Sequence, residues 1–313
     1  MRPRRRDGRR FRFDDGASAP FFIAVTHWKT TRFEIDLAEP RVMGIVNLTP
    51  DSFSDGDPTL TPARALSTCE RLLAEGADML DLGGESSRPG ADPVDLETEL
   101  ARLLPVLREA LCLGCPVSVD TAKPEVMRAA LDLGADIVND IGALRAPGAL
   151  EAVAAHPACG VCLMHMRGTP RSMQAETNYT DLVGEIGAFL GERVAAVEAA
   201  GVARERIVID PGVGFGKTQA QNLELLSRQE ALLALGVPIL VGWSRKSTLA
   251  RLAGVWATPP ADRSAAQRTA LDTASVAASL LAVQRGARIV RVHNVAAMVA
   301  ALAVWKAAPE ARG

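Results

Sequence analysis

A chain of 313 residues, 48% of them hydrophobic, is long enough for one large α/β domain or two small ones and can fill a core. Its formal net charge of -2 excludes a strongly basic nucleic-acid binder. No run of about 18 apolar residues could span a membrane, and the arginine-rich start lacks the apolar stretch of a secretory signal, so the expected compartment is the cytosol.

Residues 1 to 20 carry seven arginines in the first twelve positions and almost nothing to bury, which predicts a disordered basic arm. One short basic run is a solvated tail before it is a nucleic-acid contact. Two strand-like pieces follow, Phe22 to Thr26 and Arg32 to Leu37, expected to form a lid or hairpin against one end of the domain. Val42 to Val46 is a short apolar run of the kind buried on both faces, ending at Asn47. A loop comes next: Pro50 restricts Thr49, Asp51 and Ser52 compete for the backbone, and Asp55-Gly56 is a turn pair. Phe53 in that loop must cover either a ligand or the edge of the core.

From there the pattern repeats as apolar strand, loop and amphipathic segment closing at glycine. The strands expected are 42–46, 78–82, 116–120, 136–139, 160–164, 206–210, 238–242 and 288–292. Thr61 caps a helix with Pro62 at its first position and Gly76 at its end; Pro124 opens another that Gly134 closes. Helices from Asp181 to Gly201 and from Gln219 to Gly236 follow the same rule. Eight strands alternating with helices predict an α/β fold, a parallel (β/α)8 TIM barrel over residues 41–308, preceded by a hairpin or lid at 21–40 and the arm at 1–20. An open doubly wound sheet is the alternative.

Five cysteines, an odd number, argue against a disulfide framework. Cys112-Leu-Gly-Cys115 and Cys159-Gly-Val-Cys162 look like halves of a zinc site, but 43 residues separate them and Cys162 lies inside an apolar strand. Buried free thiols are expected instead.

The strand ends carry the chemistry. Asn47, the loop from Gly83 to Arg88, Asp120, Asn139, His165, Asp210, the stretch from Ser244 to Ser247, and His293 each follow an apolar run. Alone, each has a plainer explanation, and Asp120 would serve as a helix cap as readily as a ligand contact. In a barrel, though, all these ends converge on the face where active sites are built.

The stretch Arg41-Val-Met-Gly-Ile-Val-Asn-Leu-Thr-Pro-Asp-Ser-Phe-Ser-Asp-Gly56, with Asp78-Met-Leu-Asp-Leu-Gly-Gly-Glu-Ser-Ser-Arg-Pro-Gly-Ala91, closely resembles the dihydropteroate synthases. Asp210-Pro-Gly-Val-Gly-Phe-Gly-Lys217, Gly242-Trp-Ser-Arg-Lys-Ser247 and Arg291-Val-His-Asn294 fit the same family in order, over about residues 40 to 308. The resemblance implies a pterin-binding barrel that joins 4-aminobenzoate to a dihydropterin diphosphate and releases pyrophosphate.

It also implies roles. Asp51, Arg88 and Lys246 would be catalytic; Ser87, Asp120, Asn139, Asp210, Lys246, Arg291 and His293 would bind the pterin diphosphate; Phe53, Pro89, Phe215 and Ser247 would bind aminobenzoate; and Asn47 would offer an oxygen to Mg²⁺. An arginine inside a barrel, as Arg291 would be, needs an anion. The loops carrying Asp51, Phe53, Arg88 and Pro89 are expected to close over the reacting ends. Ser87, Val213, Trp243 and Asp57 depart from the family pattern, which puts sulfonamide sensitivity in question. The competing readings are a corrinoid-linked methyltransferase, which needs neither Arg88 nor Lys246, and a pterin-binding paralogue without turnover. Helices at 274–283 and 295–305 could pair in a homodimer or pack as outer-ring helices.

Overall fold

The computed structural model describes residues 25–49, 61–88 and 90–308. The expected basic arm, Phe22, Asp51, Phe53, Asp57 and Pro89 therefore lie outside the described residues.

A two-stranded antiparallel hairpin comes first, β1 (His27–Lys29) and β2 (Glu34–Asp36). The strand expected at 22–26 lies largely outside the described residues; β1 is anchored by Trp28, fully buried, whose Nε1 donates to the Arg206 carbonyl at 2.9 Å. Arg32 in the turn donates to both oxygens of buried Asp136, at 3.1 and 2.7 Å.

Eight parallel strands then close a barrel: β3 (Arg41–Asn47), β4 (Met79–Gly83), β5 (Val117–Asp120), β6 (Ile137–Asp140), β7 (Gly160–Met164), β8 (Ile207–Asp210), β9 (Ile239–Val241) and β10 (Ala287–Val292), with β10 pairing β3. Around them run α1 (Pro62–Ala74), α2 (Leu96–Ala110), α3 (Pro124–Leu133), α4 (Ala149–Ala155), α5 (Leu182–Ala199), α6 (Gln219–Arg228), α7 (Ser247–Leu252), α8 (Ala265–Gln284) and α9 (Val295–Ala307). The expected punctuation holds at α1, where Thr61 Oγ1 accepts from the Arg64 N–H, and at α3, which Gly134 ends at φ 102°. The helix expected from Gln219 to Gly236 is corrected: α6 stops at Arg228, and Gln229–Leu235 continues as a 3₁₀ helix. Buried Gln229 donates to the Ala282 and Arg285 carbonyls, tying the change of pitch to α8.

Strand residues alternate between two environments. Val42, Val46, Leu80, Leu82, Val119 and Val138 pack outward in the core shared with the helices. Met43, Met79, Ile137, Cys162, Val208, Leu240 and Ile289 face inward and meet Trp28, Ile35 and Leu37, so the hairpin plugs the barrel at the N-terminal ends of the strands. In its described residues it covers the end opposite the strand tips. The period of two carries the inward parity on to Asn47, Asp81, Asp120, Asn139, Asp210 and Arg291.

Cys69, Cys115, Cys159 and Cys162 are buried free thiols, and burial pushes Cys69 up to about 12 and Cys115 to about 11. Cys112 departs from expectation and is exposed, after the last turn of α2.

Candidate active site

Strand register assembles the rim. Asn47 pairs with Gly83, Gly83 with Asp120, and Asp120 with Asn139, so four expected site positions stand side by side at the C-terminal ends of β3 to β6. Asp210 ends β8, and Arg291 projects inward from β10. A Cβ added to Gly242, after β9, would meet nothing within 4 Å, so the wall is open at that point.

Arg291 is the centre of the polar layer. Its Nε donates to Asp81 Oδ2 at 2.5 Å and its Nη2 to Asp120 Oδ2 at 2.7 Å. The arginine inside the barrel thus has the anion it was expected to need, and the protein itself supplies two. Burial opposes its charge, but Asp81 and Asp120 more than offset that and hold the guanidinium above its ordinary range. Burial pushes the Asp120 carboxyl up to about 7; Arg291 draws it down and Asp81 pushes it further up.

Asp81 is fully buried and was not singled out from sequence, although it lies within the quoted stretch. Asn139 Nδ2 donates to it at 3.2 Å, which leaves Asn139 Oδ1 for a ligand. Its own parity, two residues before Gly83 on the inward face, was the available signal.

Asp210 is 7% exposed, its Oδ1 accepting from Gly212 N at 2.7 Å. Burial raises its carboxyl, while the Gly212 N–H and Lys246 act against that rise. Gly212 itself has φ 71°, and a Cβ there would sit 1.9 Å from the His165 carbonyl, so only glycine fits.

Lys246 is aimed inward by its neighbour. Arg245 takes a left-handed φ of 57° and binds Asp272 on α8 through Nε at 2.7 Å and Nη2 at 3.0 Å. Lys246 Nζ then lies 4.1 Å from the centre of the Phe215 ring. Burial pushes its ammonium down to about 8, opposed by Asp210 and assisted by Arg291. Arg88 is exposed on the loop after β4, with half-buried Ser87 beside it. Its charge adds to the downward push on both Lys246 and His293, which brings it to the same rim.

His293 makes two contacts with Ser244 Oγ: the ring Nδ1 at 2.9 Å and the backbone N–H, which donates at 3.1 Å. Burial, with Arg245 and Arg291, holds the imidazole well below its usual range, so it is neutral. With the serine hydroxyl donating to Nδ1, the ring presents Nε2–H as an uncharged donor and not as a cation.

Three expectations are revised. His165 is 3% exposed and turns away from the pocket, its ring edge-on to Phe189 at 5.0 Å and its Nδ1 3.0 Å from Lys217 Nζ. Ser247 starts a helix of only six residues, so any anion there would meet free amides and no summed dipole. Val213 and Trp243 are 2% and 0% exposed and pack in the outer core, so neither shapes the pocket as its departure from the family pattern suggested.

The stretch from Gly83 to Arg88 also has a structural half. Lys123 binds both Glu85 and Glu99, the latter at 2.5 Å, and Glu85 Oε1 accepts from Val94 N at 3.0 Å. The loop is thereby tied to α2 and α3.

A model of the family described as "Pterin binding enzyme" matches residues 43–293. The chain is 49% identical to a dihydropteroate synthase of Neisseria meningitidis over 90% of its length and 96% of the relative's. The solved Xanthomonas albilineans dihydropteroate synthase with 4-aminobenzoic acid superposes with a TM-score of 0.79 at 49% identity, covering 88% of this chain and 94% of that one. The Yersinia pestis enzyme in complex with a sulfonamide drug gives 0.82 at 41% identity, covering 90% and 98%. An inward ring of Asp120, Asn139 and Asp210 with Lys246 and Arg291 among them is thus set in a barrel with these relatives: the chain belongs to the dihydropteroate synthase family of pterin-binding enzymes.

Proposed function

We propose that this protein condenses 4-aminobenzoate with (7,8-dihydropterin-6-yl)methyl diphosphate, giving 7,8-dihydropteroate and diphosphate for folate biosynthesis. The observation that carries this reading is the juxtaposition of buried Asp210 and Asn139 and half-buried Asp120 with Lys246 and Arg291 at one rim.

The pterin's ring amide and amino group present adjacent N–H donors, matched by the Asp210 carboxylate in a two-point contact. Asn139 offers Oδ1, since its Nδ2 is spent on Asp81. Lys246 donates toward the ring carbonyl and ring nitrogen, and Arg291, held by its two carboxylates, supplies a fixed guanidinium face for the ring or a donor for the diphosphate.

An aryl amine is neutral and nucleophilic near pH 7, so no strong base is required. The barrier lies in breaking the C–O bond to diphosphate, which leaves positive charge on the pterin methylene. The amine then forms the C–N bond and loses a proton. Arg88, His293 Nε2–H and half-buried Ser87 are the groups of this chain that would hold the departing anion. Phe215 and Ser247 flank the aminobenzoate side, where a sulfonamide would compete; Asp51, Phe53 and Pro89, outside the described residues, complete the assignment as loop groups that exclude water.

Among the described residues no group of three His, Cys, Asp or Glu side chains could hold a resident metal. The donor that fits Mg²⁺ is half-buried Asn47, a single neutral oxygen inside the rim, as suits an ion that arrives on substrate phosphates and keeps its waters. Such an ion would neutralise diphosphate charge; Asn47 would orient it.

A cytosolic location is part of this reading; no helix among the described residues is long and apolar enough to cross a membrane. A homodimer through α8 and α9 accords with Leu281 and Val304, 43% and 72% exposed on those helices. Sedimentation at a dimer's mass supports that pairing, and a monomer at micromolar concentration refutes it.

The test of the reaction is pyrophosphate release with Mg²⁺. It is expected only when both 4-aminobenzoate and the pterin diphosphate are present; tight pterin binding without release would favour a non-catalytic paralogue.

A further inference from the structure

Lys217 belongs to none of the roles above, yet it is 2% exposed behind the rim. Its Nζ donates to the Gly212 carbonyl at 2.9 Å and the Phe215 carbonyl at 3.0 Å, and lies 3.0 Å from His165 Nδ1. Those three acceptors match the three protons of an ammonium. Burial, with Lys217 and Arg167 nearby, pushes His165 down to about 2, so its ring is neutral and Nδ1 is free to accept. Burial pushes the Lys217 ammonium down to about 7, with Asp210 opposing, so the cation is held below that pH, where its three acceptors take every proton; a lysine buried at that cost needs a structural return.

That return is visible in the loop it holds. Gly212, Gly214 and Gly216 take φ values of 71°, 83° and 62°, a left-handed residue at every second position, which winds the chain around Nζ. The loop is fixed from outside as well: Gly214 N donates to Asn222 Oδ1 at 2.8 Å, Gln174 Nε2 to the Gly214 carbonyl at 3.1 Å, and Tyr179 OH to the Gly216 carbonyl at 3.0 Å. Each end bears on the site. Gly212 N donates to Asp210 Oδ1, and Phe215 carries the ring against which Lys246 rests.

We infer that Lys217 is a positioning residue: its ammonium is an internal cation about which the loop from Pro211 to Gly216 is wound, and it thereby sets the places of the Asp210 carboxylate and the Phe215 ring. Lys217 is not the reaction's base, because its protons are directed at the loop and at His165, away from the pocket. The claim deepens the synthase reading only in its activity arm.

The experiment is Lys217→Met, which keeps the chain length and removes the donors. Amide exchange at Gly212, Gly214 and Phe215 is expected to accelerate at least about tenfold, while Val208 and Ile209 in β8 keep their protection. In the same variant kcat is expected to fall about 10²-fold through misplacement of the pocket. A folded variant with unchanged loop exchange, or with full turnover, overturns the inference. Should the variant not fold, the wild-type protein decides: below pH 7, where Lys217 carries its proton, the ¹⁵N-labelled ammonium is expected to give a solvent-protected resonance, and exchange as fast as that of an exposed lysine overturns the proposal. Both structural readouts need no substrate, so a wild-type protein that releases no pyrophosphate would sink the synthase reading separately.

Discussion

At the N-terminal ends of the strands, Met43, Met79, Ile137 and Cys162 close on Trp28 in an apolar layer; at the C-terminal ends the barrel carries Asp81, Asp120, Asn139 and Asp210 around Arg291. The lower layer gains from burial and makes few demands on geometry. The upper one buries charge at a cost, which is offset only by pairing, so it is organised by fixed hydrogen bonds. Stability and chemistry are thus separated along the barrel axis, and each end can be disturbed with a different signature.

The largest effect is expected at the bottom. Trp28→Ala removes a fully buried ring and its bond to Arg206, and should cost about 3 to 5 kcal/mol of stability in denaturant titration, with KM for both substrates unchanged in the folded fraction. A shifted KM would mean that the two ends are coupled.

Next comes the rim. Lys246→Ala should lower kcat/KM for the pterin diphosphate about 10²-fold, some 2.7 kcal/mol of transition-state stabilisation, with little change in the unfolding midpoint. Equal losses in stability and activity would erase the separation.

The pH dependence sharpens it further. The Asp120 carboxyl is raised from 3.8 to about 7, so between those values the folded protein holds a proton that the unfolded chain has released, and stability from this group falls as pH rises. Lys246 is lowered from 10.5 to about 8; in that window the unfolded chain holds the extra proton and stability rises with pH. The rim should therefore contribute least between pH 7 and 8. Subtracting an Asp120→Asn unfolding profile from that of the wild type should isolate the acid limb, and superimposable profiles would remove the assignment.

The smallest effect is expected outside both ends. Trp243→Phe takes away a buried indole whose Nε1 has no partner among the described residues, so it should change stability by less than about 1 kcal/mol and leave sulfonamide affinity untouched. Drug binding altered in this variant would put Trp243 in communication with the pocket.

Much of this was legible in the chain because its signals are local. Eight apolar runs bounded by glycine and proline predict the strands to within a residue or so, and Thr61-Pro62 and Gly134 predict helix ends, since capping depends on neighbours in sequence. Asn47, Asp120, Asn139 and Asp210 were visible as polar terminators. What the chain hid depends on distant partners: the anions that satisfy Arg291, the serine that holds the His293 ring, and the turning of His165 toward Lys217. Asp81 was passed over because an aspartate inside an apolar run looks like a strand interruption until β10 places a guanidinium beside it. Trp28 was missed as the hairpin's anchor for the same reason, its acceptor being 178 residues away.

The central claim is that the charges gathered at the upper rim grip the pterin. Asp210→Asn keeps an oxygen for Gly212 N–H and removes only the carboxylate's charge, so calorimetric titration with the pterin diphosphate tests it most directly. Affinity is expected to fall about 10²-fold, the scale for a charge-assisted pair in a dry site, with the unfolding midpoint retained. Binding as tight as that of the wild type would contradict it.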